Sequence, residues 1–428
     1  MPETETMRES AAALDARDPL AKYRERFYFP RTPQGEPVVY LVGHSLGLQP
    51  KTARAYLEQE MKDWEELGVH AHLQAKSPWV PYHRFLADQT ARLVGARSSE
   101  VVVMNSLTVN LHLMMVSFFR PTKQRHKIVI ERGAFPSDQY AIKSQLRYHG
   151  LDPATSLIEL TPRAREATLR DEDIRATIDG IGETIALVLL GGVNYSTGQA
   201  FDMPGITKAG HAQGCVVAFD LAHAAGNVVL RLHDWDVDFA VWCNYKYVNG
   251  GPGCVGGCFV HERHARAFEL PRFAGWWGHD EGTRFRMGPD FQPMAGAEGW
   301  QISNPPVLSM AALRAALEIF EEAGMEALRL KSVALTRYLE SLLEQHQSPR
   351  FTVITPSEAS RRGAMLAIRI LENASKEHAN KLVERLAEAG VMTDFREPNI
   401  LRVTPVPLYN SFTDVAKFVE QFVAGVSS

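Results

Sequence analysis

CVVAFDLAHAAGNVVLRLHDWDVDFAVWCNYKYVNGGPG, residues 215–253, decides the fold. CVVAFD (215–220) and DFAVWC (238–243) are continuous apolar runs, the pattern of strands with both faces covered. The same unit recurs toward the N-terminus. EVVVMN (100–105), HKIVIE (126–131) and TIALVLLGG (184–192) read as strands, with helices expected at Leu107–Phe119, Asp138–His149 and 205–213. This alternation predicts an open, mostly parallel α/β sheet whose ligands collect beyond the carboxyl ends of its strands.

The flanks differ. Leu57, Met61, Trp64 and Leu67 fall at helical spacing in 51–67, and Gly68 is a natural stop. Beyond GWQISNPP (299–306) a long helix is expected over 309–346. Sparser strands follow at MLAIRI (365–370) and LRVTPVP (401–407), around a helix near 376–389. That predicts a large domain over 51–308, a smaller α+β domain over 309–428, and an N-terminal segment, 1–50, associating with the latter.

Composition narrows the function. The 428 residues carry a net charge of −4 with scattered basic groups, so no patch invites a nucleic acid. The opening MPETETMRESAAALDARDPL is acidic and lacks the apolar core of a signal peptide. No run approaches the ~18–20 apolar residues of a membrane span. Cys215, Cys243, Cys254 and Cys258 lack a second ligand pair for a metal, so no metal or disulfide is expected and a reduced, cytoplasmic enzyme is. HERH (261–264) is not a zinc-protease motif, and GGPGCVGG (250–257) lacks the Lys-Ser/Thr of a phosphate loop. The latter is expected to shape the turn after Lys246.

The chemistry lies just past the strand ends. Asp220 closes one strand and Lys246 follows the next, 26 residues later. An acid and a lysine so placed suit a pyridoxal phosphate (PLP) Schiff base: the amine holds the aldehyde and the carboxylate pairs with the pyridinium nitrogen. Taken singly, Lys246 reads as a surface loop lysine and Asp220 as a helix cap. Their joint placement supports the cofactor.

GHSLGLQP (43–50), MNSLTVNLH (104–112), AFPSDQYAI (134–142), FDLAHAAGN (219–227), HDWDVDFAVWCNYKYVNGGPG (233–253), GWWGH (275–279), ISNPP (302–306) and RVTPVPLYNSF (402–412) resemble the kynureninases from about residue 40 to the C-terminus. The resemblance implies the α/β PLP-dependent transferase fold type I. It also implies a homodimer and hydrolytic cleavage of L-kynurenine or 3-hydroxy-L-kynurenine to the matching anthranilate plus L-alanine, in tryptophan catabolism or NAD biosynthesis. D-x-A-H is shared with class V aminotransferases and cysteine desulfurases, which remain the alternatives. A desulfurase needs a late cysteine, and none follows Cys258.

Lys246 would then be the Schiff-base lysine and the base at Cα, with Tyr245 near the phosphate as a proton donor. Asp220 would hold the ring nitrogen and His223 would lie against the cofactor. Leu107 and Thr108 would offer a helix N-terminus to the phosphate. Phe135 would stack on the ring, with Asp138 in the same segment. Trp276 and Asn304 would reach the site from a partner subunit, and Arg402 would clamp the substrate carboxylate. His72, Ser303 and Asn304 resemble residues of members favouring the 3-hydroxy substrate. Each has a plainer reading: cap for Thr108, core aromatic for Phe135 and Trp276, structural histidine for His223, structural ion pair for Arg402. Three positions depart from the family. His44 stands for the usual Asn, Gly191 for a hydroxyl residue at a cofactor contact, and Trp277 for a common Phe.

Overall fold

The apolar runs assemble into a seven-stranded sheet in the computed structural model, which describes residues 10–346, 348–371 and 376–427. Its spatial order is Val101–Val103, Gly257–Val260, Phe239–Trp242, Val216–Asp220, Ile185–Gly191, Lys127–Glu131 and Leu157–Leu160. Gly257–Val260 pairs antiparallel with both neighbours, and the other pairings are parallel. Both faces are covered. Leu111, Met114, Ile142 and Leu146, from helices Leu107–Phe118 and Pro136–Tyr148, close one side. Met310 and Leu313 help to close the other.

Two expectations need correction. The final glycine of GGPGCVGG opens the antiparallel strand instead of extending the turn. Gly257 lies opposite Trp242, and a Cβ there would stand 2.1 Å from the indole ring. Gly257→Ala is therefore expected to destabilise the fold by ~1–3 kcal/mol through overpacking. A denaturant midpoint unchanged from wild type would refute this. The helix over 309–346 is in fact two, Val307–Ala323 and Met325–Gln345. Gly324, at φ 75, takes the left-handed conformation that ends the first, its N–H bonding to the Phe320 carbonyl.

A second, antiparallel sheet has the order Phe351–Val353, Leu366–Ile370, Ile400–Val403, Asp394–Arg396. Helices Lys376–Glu388 and Phe412–Ser427 share its apolar cluster, which Leu14 and Leu41 join from the N-terminal segment. Val39–Tyr40 pairs in parallel with Val391–Met392, and Val42 bridges to Thr404. This docking carries His44 to the inner side of the Ile400–Val403 strand. The first nine residues of the 1–50 segment lie outside the described residues.

Glu100, His233 and His261 gather behind the sheet. The two rings stack in parallel, 5.0 Å apart at 8°, so their in-plane lone pairs do not converge on one point. Glu100 already accepts from the Arg97 and Glu262 amides and pairs with His233. The cluster works as a clasp. Among the described residues no helix is long and apolar enough to cross a membrane.

Candidate active site

Parallel strands in this sheet end on one edge, and the loops leaving those ends converge there around a cavity. Asp220 ends its strand and its Oδ1 accepts the Ala222 amide at 2.7 Å, which fixes the turn bearing His223. Lys246 lies just past the next strand, and its Nζ is 3.2 Å from His223 Nε2. The same amine stands 5.8 Å from the ring centres of both Phe135 and Tyr245.

Helix Leu107–Phe118 begins at the cavity wall with Ser106 in extended conformation. Its first intrahelical bond is donated by Asn110, which leaves the amides of the first turn without helical partners. Thr108 and Ser137 hydroxyls meet at 2.7 Å beside it. This is a place for an anion. Phe135, two residues before Ser137, keeps 46 % of its surface exposed and takes the edge of Tyr195 at 5.2 Å.

Glu131, Asp138 and Asp220 crowd three carboxyl groups onto the cavity with Lys246. Burial raises all three above the usual carboxylate range, Asp138 further through the negative charge of Asp220. The Ala222 amide and the Lys246 ammonium act against the rise at Asp220. Burial holds His223 well below its ordinary value, with Lys246 acting in the same sense. Two buried polar atoms here have no hydrogen-bond partner, Asp138 Oδ1 and His223 Nδ1. An amine, an acid cluster, free helix amides, an open aromatic face and unpartnered polar atoms fit a flat, phosphorylated heteroaromatic aldehyde.

Gly191 explains itself. Its N–H lies 3.3 Å from both oxygens of Glu131, and a Cβ at 191 would fall 2.9 Å from Glu131 Oε1. Any side chain at 191 would have to displace that carboxyl, the far end of the Glu131 side chain. Glu131 is pushed up to about 7 by burial, so it stabilises the fold at low pH and loses that contribution as pH rises through neutrality. Glu131→Gln is thus expected to gain ~2–3 kcal/mol on wild type between about pH 5 and pH 8. Parallel stability–pH curves would refute this.

Residues 328–422 match the family model for the kynureninase C-terminal domain. The kynureninase of Koribacter versatilis is 66% identical over 423 residues, covering 99% of both chains. The chain belongs to the kynureninase family. The kynureninase of Myxococcus xanthus is 58% identical, covering 96% of this chain and 95% of its own. Among solved structures, a cysteine desulfurase from Thermococcus onnurineus superposes with a TM-score of 0.76 at 17% identity, covering 93% of this chain and 96% of its own. A cystine lyase variant, C-DES, carrying glycine linked to its PLP cofactor, gives 0.74 at 16%, covering 93% and 98%. These likenesses give this kynureninase-family chain the fold-type-I architecture.

In this member of the kynureninase family Leu107, Thr108, Phe135, Asp138, Gly191, Asp220, His223, Tyr245 and Lys246 line the one cavity. Arg402 lies just behind it, 2% exposed, with Nη1 donating to the Tyr195 carbonyl at 2.9 Å. Asp394 grips its other edge, at 3.1 Å from Nε and 2.8 Å from Nη2. The remaining predicted residues stand apart. Trp276 lines a surface groove with Phe291, and Ser303 and Asn304 line a third recess with Asn105. His72 packs edge-on against Trp79 at 5.5 Å. Trp277 is buried, under the Arg284 guanidinium.

Sequence reading missed Glu131, Ser137, Tyr195 and Asp394. Glu131 was findable, because it closes a strand as Asp220 does. Asp394 carries no local signal; it becomes the partner of Arg402 only through strand register.

Proposed function

We propose that this cavity cleaves 3-hydroxykynurenine in preference to kynurenine, in a cytoplasmic homodimer with Lys246 as the central group. The activity itself is that of the family: PLP-dependent hydrolysis of the Cβ–Cγ bond of a kynurenine, giving an anthranilate and L-alanine. One observation carries the residue assignment, the Lys246 amine and the Asp220 carboxylate on the walls of a single cavity at adjacent strand ends.

PLP, when bound, supplies an electron sink for negative charge at the carbon bearing the substrate's amino group. The chain does the rest. Lys246 anchors the cofactor, and once substrate has taken its place, Nζ removes the proton from Cα. His223 holds that amine near the reacting carbon, and Asp220 supplies the anion facing the ring nitrogen. Leu107 and Thr108 bind the phosphate through helix amides and a hydroxyl. Phe135 covers the ring, and Asp138 lies beside Asp220 as a neutral acid. Tyr245, whose hydroxyl is pushed up by burial and so keeps its proton, returns one to Cβ after cleavage. Arg402 fixes the substrate carboxylate and with it the ketone that water attacks.

Trp276, Ser303, Asn304 and His72 line other surfaces of the same chain, which supports a homodimer in which each subunit completes its neighbour's site. Trp276 keeps 42% of its surface exposed beside Phe285 at 60%. Four free, buried thiols at Cys215, Cys243, Cys254 and Cys258 support a reducing compartment.

Incubation of the purified protein with each kynurenine, with assay of alanine and the aromatic amine, tests the reading. Equal kcat/KM for the two substrates would remove the 3-hydroxy preference. Transamination without anthranilate would remove the hydrolase.

A further inference from the structure

His44 is enclosed on all sides, fully buried, with Nδ1 2.7 Å from Thr404 Oγ1. Its Nε2 has no hydrogen-bond partner and points to Asp394 Oδ2 at 3.8 Å, too far for a bond. That carboxylate oxygen is the one bonded to Arg402 Nη2. An imidazole, a carboxylate and a guanidinium thus form one buried line behind the cavity. His223 faces His44 from the cavity side at 6.4 Å between ring centres. Arg396 reaches Asp394 from the solvent side at 3.3 Å, with 44% of its side chain exposed, so water screens it.

The buried part of this line is neutral as it stands. Arg402 and Asp394 cancel, and burial, with Arg402 and Arg396 also lowering it, holds His44 down to about 4. A carboxylate arriving at Arg402 adds a second buried anion beside one buried cation, an arrangement that low-dielectric surroundings penalise.

We propose that His44 balances this charge: binding of the substrate carboxylate at Arg402 is accompanied by uptake of one solvent proton on the His44 imidazole. Both ring nitrogens then donate, Nδ1–H to Thr404 Oγ1 and Nε2–H to Asp394. Thr404 can accept as readily as donate, so that contact persists, and the 3.8 Å gap from Nε2 to Asp394 has to close by roughly 0.8 Å. The asparagine usual at this position in the family has no site for such a proton. His44 is therefore a positioning residue that makes substrate affinity depend on pH. The inference rests on Arg402 as the carboxylate clamp.

The test is calorimetric titration of the PLP-loaded enzyme with desamino-kynurenine, which keeps the aryl ketone and carboxylate but lacks the α-amine that would bond the cofactor. Titrations at about pH 6, in buffers of different ionisation enthalpy, count the protons exchanged. Wild type should take up about half a proton or more per ligand, and its Kd should rise up to about tenfold per pH unit above that pH. His44→Asn and His44→Gln should take up close to none and give a correspondingly flatter Kd–pH line. Absence of uptake by wild type, or equal uptake by a folded His44 variant, overturns the inference. Arg402→Gln separates the underlying reading. Wild-type affinity in that variant would mean that the carboxylate does not sit on Arg402.

Discussion

Lys246→Ala is expected to abolish turnover, with kcat lowered by at least ~10³–10⁴-fold, since one side chain both anchors the cofactor and carries the proton from Cα. The fold should survive. Lys246 stands half-buried at the cavity wall, and among the described residues its amine has His223 as its one hydrogen-bond neighbour, so removing the side chain breaks no core packing. His223 then loses the charge that helps to keep it neutral, and should titrate at higher pH in the variant. The decisive measurement is the visible absorbance of cofactor-loaded protein together with single-turnover kinetics. A variant that keeps the wild-type spectrum and turns over within tenfold of wild type would remove Lys246 from the centre of the chemistry.

Arg402→Gln should have the second largest effect, and it divides in two. Loss of a charge-assisted bidentate contact of ~1.5–3 kcal/mol raises KM by ~10–150-fold while kcat changes less. Independently, the change leaves Asp394, with 14% of its side chain exposed, with half-exposed Arg396 as its remaining guanidinium partner and the His44 ring beside it. Stranding one partner of a buried pair costs ~3–5 kcal/mol, and partial exposure places this case toward the lower end. The wild-type pair, with His44 alongside, holds the Asp394 carboxyl well below the usual range although burial opposes it. That depression stabilises the fold above the unfolded carboxylate range of ~3.9 and is lost as pH falls through the folded value. The deficit of Arg402→Gln should accordingly be full at neutral pH and shrink under acid conditions. A second change, Asp394→Asn, should restore much of the stability and none of the KM. Recovery of both together would mean that Arg402 serves the fold and not the substrate.

Five of the seven strands, the covered sheet and the Asp220–Lys246 pair were legible because each is written within a few residues: an apolar run, then a polar group at its end; Leu157–Leu160, Gly257–Val260 and the spatial order of the strands were not. Glycines marked most boundaries as well. They misled at 250–257, where Gly257 is required by the indole of Trp242 rather than by a turn. At 324 a glycine inside an otherwise continuous helical pattern ended one helix and began another. Propensity counts such a glycine as a cost, whereas the fold used its left-handed conformation as a corner.

What the sequence alone determined is the set of groups delivered to the sheet's carboxyl edge, since a parallel α/β chain brings successive strand ends to one side wherever they lie in sequence. Only the tertiary structure decided how those groups are charged and paired. Cross-strand register sets Asp394 against Arg402, docking of residues 39–42 brings His44 to both, and a missing Cβ at Gly191 makes room for Glu131. Protonation and pairing depend on burial and on distances of a few ångströms between side chains of separate segments, and no local pattern encodes them.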